Sequence, residues 1–309
     1  MRTLRAEGRL SGILNGIDES WDPEQDPHLP RHFAAQDLSG KQAIADVVRT
    51  ALCLKQSDGP LFGVVSRLVH QKGLDVVAEV ADSIVKEGGQ IEILGLGDPE
   101  TEHMLSRVAR RRRDHVALLN GFNEAMARRI VAASHFLLMP SRFEPCGLMQ
   151  LQAQRYGALP IAQATGGLAD TIEDSKTGFL FWDLSPNSLY GACSRAFEAF
   201  ADEAVLKSMR ETAMSRRFRW SEAAEQYEAL YRRSLRQPPV ERSRPPTRRA
   251  VCSSRTFLWS YPLPCASRGT IPIPGEVMTE GDVDIYLRGL PATREARNPD
   301  HLLSGMPMG

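Results

Sequence analysis

Apolar positions from residue 60 onward alternate between short continuous runs and stripes of helical spacing. "PLFGVVSRL" predicts a buried strand at 60–68, and Leu74, Val77, Ala81 and Ile84 recur at the spacing of a helix over 73–88. The same pairing repeats, with strands predicted at 90–97, 116–121, 135–141 and 159–165 and helices at 99–113, 123–134 and 147–157. Short apolar strands alternating with amphipathic helices imply an α/β fold with a parallel sheet covered on both faces.

Two longer helices are predicted to follow the sheet, one over 185–215 and one over 220–235. In the second, Trp220, Ala223 and Tyr227 belong to one apolar stripe. From residue 236 the chain becomes rich in Arg, Pro and Ser and loses its apolar period, beginning with "RQPPVERSRPPTRR". This composition predicts a disordered linker and tail to residue 309.

Composition narrows the classes of function. The 309 residues suit one large or two modest domains, and 38 basic residues balance 38 acidic ones, which argues against a nucleic-acid partner. No apolar run approaches the roughly 20 residues needed to span a bilayer, so no membrane partner is expected. The five cysteines form no C-x-x-C pair and no secretory signal is visible, so we expect a reduced, cytoplasmic protein.

Candidate chemistry lies in the loops that follow the strands, because ligands of open parallel sheets bind beyond the carboxyl ends of the strands. Arg67 and Lys72 flank the turn after the first strand, where two cations near a helix start suit a diphosphate. The alternative is a solvated basic loop. Gly121 permits close backbone approach and Phe122 offers a flat stacking face, although a core phenylalanine is an equal alternative.

Two further loops carry polar groups suited to a sugar phosphate. In "RFEPCGL", Glu144 can accept hydroxyl groups of a sugar, and the N–H groups of Gly147 and Leu148 can hold a phosphate. The alternative for Glu144 is a helix-capping acid. "TGG" at 165–167 is a second site of backbone donors, or else a plain left-handed turn.

Several of these segments together resemble a known family. "SRLVHQKGLD", "GFNE", "SRFEPCGLMQLQAQRYG" and "TGGLADT", in this order, are similar to the bacterial glycogen synthases and plant starch synthases over about residues 8–235. "LSGILNGID" resembles the family's hinge segment. The resemblance implies a retaining glycosyltransferase of the GT-B type, in which two Rossmann-like domains enclose a cleft and no metal or other cofactor is required. The expected donor is ADP-glucose, and the acceptor is the non-reducing end of an α-1,4-glucan.

The resemblance also implies roles for individual residues. Arg67 and Lys72 would neutralise the departing diphosphate and Glu144 would hold the donor glucose, which makes these three the expected catalytic residues. Phe122 would take the adenine-stacking position. The expected substrate-binding residues are Asn15, Gly121, Phe122, Cys146, Gly147, Leu148, Thr165, Gly166 and Gly167.

The chain departs from the family pattern in two ways that change the domain organisation and activity we expect. It lacks the family's N-terminal domain with its "KTGGL" loop and catalytic His, and "DTIEDSKTGFLF" is shorter than the corresponding segment of many members. We therefore expect a hinge at 1–20, a Rossmann-like nucleotide-sugar-binding domain at 21–235 and a disordered tail at 236–309. This donor half would reach the glucan acceptor only through the missing domain and be inactive alone. The alternatives are a non-catalytic fragment that binds a nucleotide sugar, or a GT-B enzyme with another donor.

Overall fold

The computed structural model of the protein describes residues 10–236. The predicted tail after this point lies outside the described residues, as do residues 1–9. The six strands are β1 Leu61–Val65, β2 Gln90–Gly95, β3 Val116–Asn120, β4 Phe136–Met139, β5 Leu159–Gln163 and β6 Phe179–Phe181. The helices described are α1 Ser39–Ala51, α2 Leu74–Lys86, α3 Pro99–Arg111, α4 Glu124–Ala133, α5 Met149–Arg155, α6 Gly166–Thr171, α7 Pro186–Ala201, α8 Glu203–Ser215 and α9 Trp220–Arg236, with a 3-10 turn at His70–Lys72.

The strands form one parallel sheet in the order β3-β2-β1-β4-β5-β6. Phe62 of β1 lies beside Ile91 of β2 on one side and Phe136 of β4 on the other. Strands β1, β2 and β3 follow one another toward one edge of the sheet, and strands β4, β5 and β6 follow one another toward the opposite edge. A crevice therefore opens between the carboxyl ends of β1 and β4, where the direction of winding reverses.

Helices cover both faces of the sheet, which confirms the predicted α/β class. Side chains alternate across each strand, so Phe62 packs with α2, α3 and α7 while Leu61 packs with α1, α4 and α5. Val77 of α2 and Ile130 of α4 are fully buried on opposite faces. Strands buried on both sides have no polar face, which explains why they appear in the sequence as continuous apolar runs.

The predicted helix over 185–215 is wrong as a single element. α7 ends at Ala201, and Asp202 has extended backbone angles (φ −107, ψ 100). The Asp202 side chain accepts from the backbone N–H groups of Ala204 and Val205 and so caps α8. Apolar periodicity continues across the break, so the capping residue was the only local signal of it.

Three other features differ from the sequence expectation. The helix α1 and the three-residue strand β6 were not predicted. The stripe predicted on α9 exists as a helical periodicity, but Trp220, Tyr227 and Tyr231 are exposed and only Ala223 is buried among its described residues. Periodicity identifies the helix but not whether another element covers it.

Candidate functional site

A lysine and a glutamate meet in the crevice at the carboxyl ends of β1 and β4. Lys72 Nζ lies 2.5 Å from Glu144 Oε2, and Ser141 Oγ donates to the same oxygen at 3.2 Å. Glu144 is only 9% exposed. Two donors on Oε2 fix the carboxylate in position, while Oε1 has no hydrogen-bond partner within residues 10–236. The group can therefore still accept hydroxyl donors.

A glycine lets the two loops approach. Gly73 follows the turn at His70–Lys72 with a left-handed backbone (φ 66), and a Cβ atom there would lie 1.9 Å from the carbonyl oxygen of Pro140. A residue with a side chain would be strained and would push the β4 loop away. The sequence "QKGLD" therefore places Lys72 against the segment that carries Glu144.

An arginine clamp that sequence analysis missed joins the same two loops. Arg142 contacts both carboxylate oxygens of Asp75 at 2.9 and 2.7 Å, and it donates to the carbonyl of His70 at 2.7 Å. The clamp is partly buried, and its guanidinium holds the pKa of Asp75 below its usual value through hydrogen bonding. Its partners are 67 residues apart in the chain, so no local motif signals it.

Arg67 stands at the mouth of the crevice. Its Nη2 atom lies 3.4 Å from Gln71 Oε1, and it has no acidic partner in the part of the chain that the structure describes. Gln71 in turn donates to the carbonyl of Phe143 at 3.0 Å. An exposed arginine without a counter-charge, beside a lysine, leaves positive charge available to an anion.

The two glycine-containing loops after β4 and β5 form one continuous backbone surface. The N–H of Gly167 donates to the carbonyl of Glu144 at 2.9 Å. A Cβ atom on Gly166 (φ 46) would lie 2.1 Å from that same oxygen, and one on Gly167 would lie 2.0 Å from the carbonyl of Cys146. Glycines are therefore required here because backbone packs directly on backbone. Thr165 precedes α6, and its hydroxyl makes no capping bond.

Backbone donors are available beside this surface. The N–H groups of Gly147 and Leu148 have no acceptor among the described residues, and Leu148 precedes the first residue of α5. Such donors at a helix start favour an anion. The hinge segment lies against the same turn, because the Asn15 N–H is 3.4 Å from Cys146 Sγ. Ile17 N–H donates to the carbonyl of Phe218, which holds the hinge beside the start of α9.

Phe122 is 88% exposed, so it does not belong to the core. It follows β3, and the next residue, Asn123, caps α4 by accepting from the N–H of Met126 at 2.9 Å. Gly121 has a positive φ of 144, and no atom lies within 4 Å of the place its Cβ would occupy. The space above this turn is therefore open to a flat ligand.

All the residues singled out from the sequence thus lie on the carboxyl-end side of the sheet or, for Asn15, against a loop there. Lys72, Glu144, Cys146, Gly166 and Gly167 belong to one connected set of contacts. Within residues 10–236, no group of three or more His, Cys, Asp or Glu side chains could hold a metal ion. The surface offers cations, one positioned carboxylate and unpaired N–H groups, a combination that suits a sugar attached to a diphosphate.

A doubly wound parallel sheet with such a crevice is an architecture common among nucleotide-binding enzymes, and the sequence comparison identifies the family. The profile of the family described as "Glycosyl transferases group 1" matches residues 53–211, about half of the chain. The chain belongs to this family.

Two curated relatives show which members of this family the chain is similar to. The chain is 55% identical over 231 residues to glycogen synthase 1 of Bradyrhizobium diazoefficiens, covering 74% of this chain and 50% of that protein. It is 52% identical over 235 residues to a glycogen synthase of Xanthomonas campestris, covering 76% and 50%. The chain therefore spans about half the length of the curated relatives it matches.

A solved structure supports the same likeness. The catalytic domain of starch synthase IV from Arabidopsis thaliana, bound to ADP and acarbose, superposes with a TM-score of 0.72 at 38% identity. The match covers 76% of this chain and 51% of that one. None of the described helices has the length and apolar character needed to cross a membrane.

Proposed function

We propose that this chain is the donor-binding half of a retaining glucosyltransferase of the glycogen and starch synthase type. The complete enzyme would transfer glucose from ADP-glucose to the non-reducing end of an α-1,4-glucan. The observation that carries the proposal is the Lys72–Glu144 pair in the crevice. Beside it lie the loops at 144–148 and 165–167, which a backbone hydrogen bond joins. The half-length identity to glycogen synthases supports the same reaction.

Arg67 and Lys72 take the diphosphate in this proposal. When the bond between glucose and diphosphate breaks, its electron pair moves to the leaving phosphate oxygen and negative charge builds there. Fixed cations stabilise that charge most when it is fully developed. Lys72 is positioned for this role because its ammonium already lies at the crevice, and Arg67 adds an unpaired charge at its mouth.

Glu144 takes the sugar. Its free Oε1 can accept hydroxyl groups of the donor glucose, and its negative charge favours cationic character at the anomeric carbon. The N–H groups of Gly147 and Leu148 would face phosphate, as would the turn at Thr165, Gly166 and Gly167. The Ser141 hydroxyl and Lys72 hold the carboxylate in place, which limits the reorganisation needed during the reaction.

The remaining predicted contacts concern the base and the far side of the cleft. Phe122 would stack on adenine, since its ring is exposed above the open turn at Gly121. Asn15 and Cys146, which contact each other through the Asn15 N–H, would lie beside the donor glucose. We assign residues 1–20 to the hinge, 21–235 to the donor domain and 236–309 to a tail.

The other half of the full-length relatives would supply the acceptor groove, so we propose that the chain by itself makes no glucan. Positioning by both halves can account for about 7–11 kcal/mol of barrier lowering. We also propose a cytoplasmic location, which the free thiols of Cys53, Cys146 and Cys193 support.

Kinetics test the mechanism once an acceptor domain from a glycogen synthase completes the chain. With ADP-glucose and a short maltooligosaccharide, Lys72→Ala, Arg67→Ala and Glu144→Gln should each lower kcat by about 10²–10³. Lys86→Ala, on the exposed end of α2, is the matched control and should behave like the wild type. A raised KM with unchanged kcat in all three variants would show that these residues merely hold the donor.

A further inference from the structure

A second polar pocket lies between α1 and α8, away from the crevice. Its volume is about 290 Å³, and its polar lining comes from Gln36, Gln42, Glu203, Lys207 and Arg210. Arg210 packs against the carbonyl of Gly157, which precedes β5. The pocket therefore lies at the amino end of the sheet, opposite the carboxyl ends where Lys72 and Glu144 meet.

Arg210 is the unusual group in this pocket. It is 8% exposed, and its Nε donates to Gly157 O at 3.1 Å. Its Nη2 atom is buried without a hydrogen-bond partner, and no carboxylate pairs with the guanidinium within the described chain. Burial lowers the pKa of Arg210 to about 10, so it remains a cation at neutral pH. A buried cation without a counter-charge is costly unless something else compensates it.

The neighbouring charges increase this imbalance. Lys41 Nζ donates to the carbonyl of Tyr156 at 3.1 Å, directly before the carbonyl that Arg210 contacts. Burial and the charge of Arg210 both lower the pKa of Lys41. Lys207 adds an exposed cation at the rim, opposed there by one acid, Glu203. The lining of the pocket thus carries two cations, Arg210 and Lys207, and one acid, Glu203.

We propose that this pocket binds the phosphate group of a small anion, either inorganic phosphate or a phosphate monoester, between Arg210 and Lys207. The guanidinium of Arg210 lines the pocket without a carboxylate partner among the described residues, and such a group favours a phosphate oxygen. Gln36 and Gln42 add neutral side chains that can bind an ester group at the rim. The site is separate from the donor crevice and needs no part of the sugar chemistry.

Thermal unfolding of the full chain tests the site. Inorganic phosphate and glycerol 3-phosphate would be titrated separately against chloride at the same ionic strength, because a ligand that binds the folded state raises Tm. We expect at least one of the two to raise Tm. Lys207→Glu, an exposed change that leaves the core intact, should weaken this effect at least tenfold in ligand concentration. Lys86→Glu, with the same charge change on α2, should retain it.

Two further variants make the result specific. Arg210→Met should remain folded by circular dichroism and lose the phosphate effect, since it keeps the side-chain length but removes the charge. Lys72→Ala removes a cation of the donor crevice and should leave the effect unchanged. The proposal is overturned if neither anion raises Tm beyond chloride, if Lys207→Glu responds like the wild type, or if the effect disappears in Lys72→Ala alone.

Discussion

Replacing Glu92 with Gln should remove a pH dependence of stability that is built into the sheet. Glu92 is fully buried in β2, and Ser134 Oγ lies 2.8 Å from its Oε1. The same hydroxyl lies 2.7 Å from the carbonyl of Ile130. A hydroxyl has one proton and a carbonyl has none, so Ser134 cannot donate fully to both oxygens; a proton on Glu92 would let Ser134 donate to Ile130 while Glu92 donates to Ser134. The arrangement therefore favours a neutral, protonated carboxyl group.

The expected loss of folding stability follows from the difference in the pKa of Glu92 between the folded and unfolded states. Burial raises the pKa of Glu92 from 4.5 to about 8, although the hydrogen bond with Ser134 and the positive charges of Arg49 and Lys41 oppose the rise. Between these pH values the folded state binds a proton that the unfolded state has lost. Stability from this group is therefore complete below pH 4.5, falls as pH rises, and levels off above pH 8. At about 1.4 kcal/mol per tenfold change in affinity, the loss is on the order of 5 kcal/mol.

The assay is urea unfolding of the wild type, Glu92→Gln and Glu79→Gln at intervals from pH 5 to pH 9. The neutral amide can donate to Ser134 at every pH, so Glu92→Gln should match the wild type near pH 5 and exceed its stability near pH 9. Glu79→Gln removes a carboxylate from the exposed side of α2 and should follow the wild type throughout. Parallel curves for the wild type and Glu92→Gln across this range would show that Glu92 is ionised and the argument is wrong.

Further predictions concern the backbone and the buried ion pairs. Gly166→Ala should destabilise the protein by about 1–3 kcal/mol and weaken ADP-glucose binding in calorimetry, because its Cβ would lie 2.1 Å from a carbonyl oxygen. Gly191→Ala, in the exposed interior of α7 with nothing within 4 Å, should instead stabilise by about 0.5–1 kcal/mol in the same experiment, and a loss of stability there would contradict the packing described. Asp26→Ala should cost about 3–5 kcal/mol in urea unfolding, since fully buried Asp26 pairs with Arg128 and accepts from Tyr156; a cost below 1 kcal/mol would mean that the network contributes little.

Local patterns predicted most of the elements, but they missed α1 and β6 and did not give every boundary. The strands at 61–65 and 136–139 were predictable because both faces are buried and their residues are uniformly apolar. The break at Asp202 was missed because apolar spacing continues through it, and only the capping geometry ends α7. The segment before residue 60 gave no prediction, although Ile44, Ala45 and Val48 of α1 occur at helical spacing.

Residue types in the loops after the strands suggested the candidate site, but each loop also had a non-functional alternative, and the family resemblance favoured the site. A Glu before a helix, glycines after strands and two cations after the first strand each indicate a ligand at the carboxyl end of a parallel sheet. These motifs did not show which of the loops contact one another in the folded protein. Arg142 and Asp75 carry no recognisable spacing, yet they clamp the two loops of the crevice.

The sequence by itself determined the α/β class, the order of most strands and helices between residues 60 and 165, and the loops that could suit a sugar diphosphate, because these depend on periodicity and residue type over a few positions. Only the tertiary structure decided that β1 lies next to β4, which brings Lys72 to Glu144 across 72 residues. It also decided that Arg210 is buried without a counter-charge and that the one hydroxyl of Ser134 lies between Glu92 and the carbonyl of Ile130. Contacts of this kind arise from strand order and helix packing, which bring together groups whose separation along the chain carries no signal.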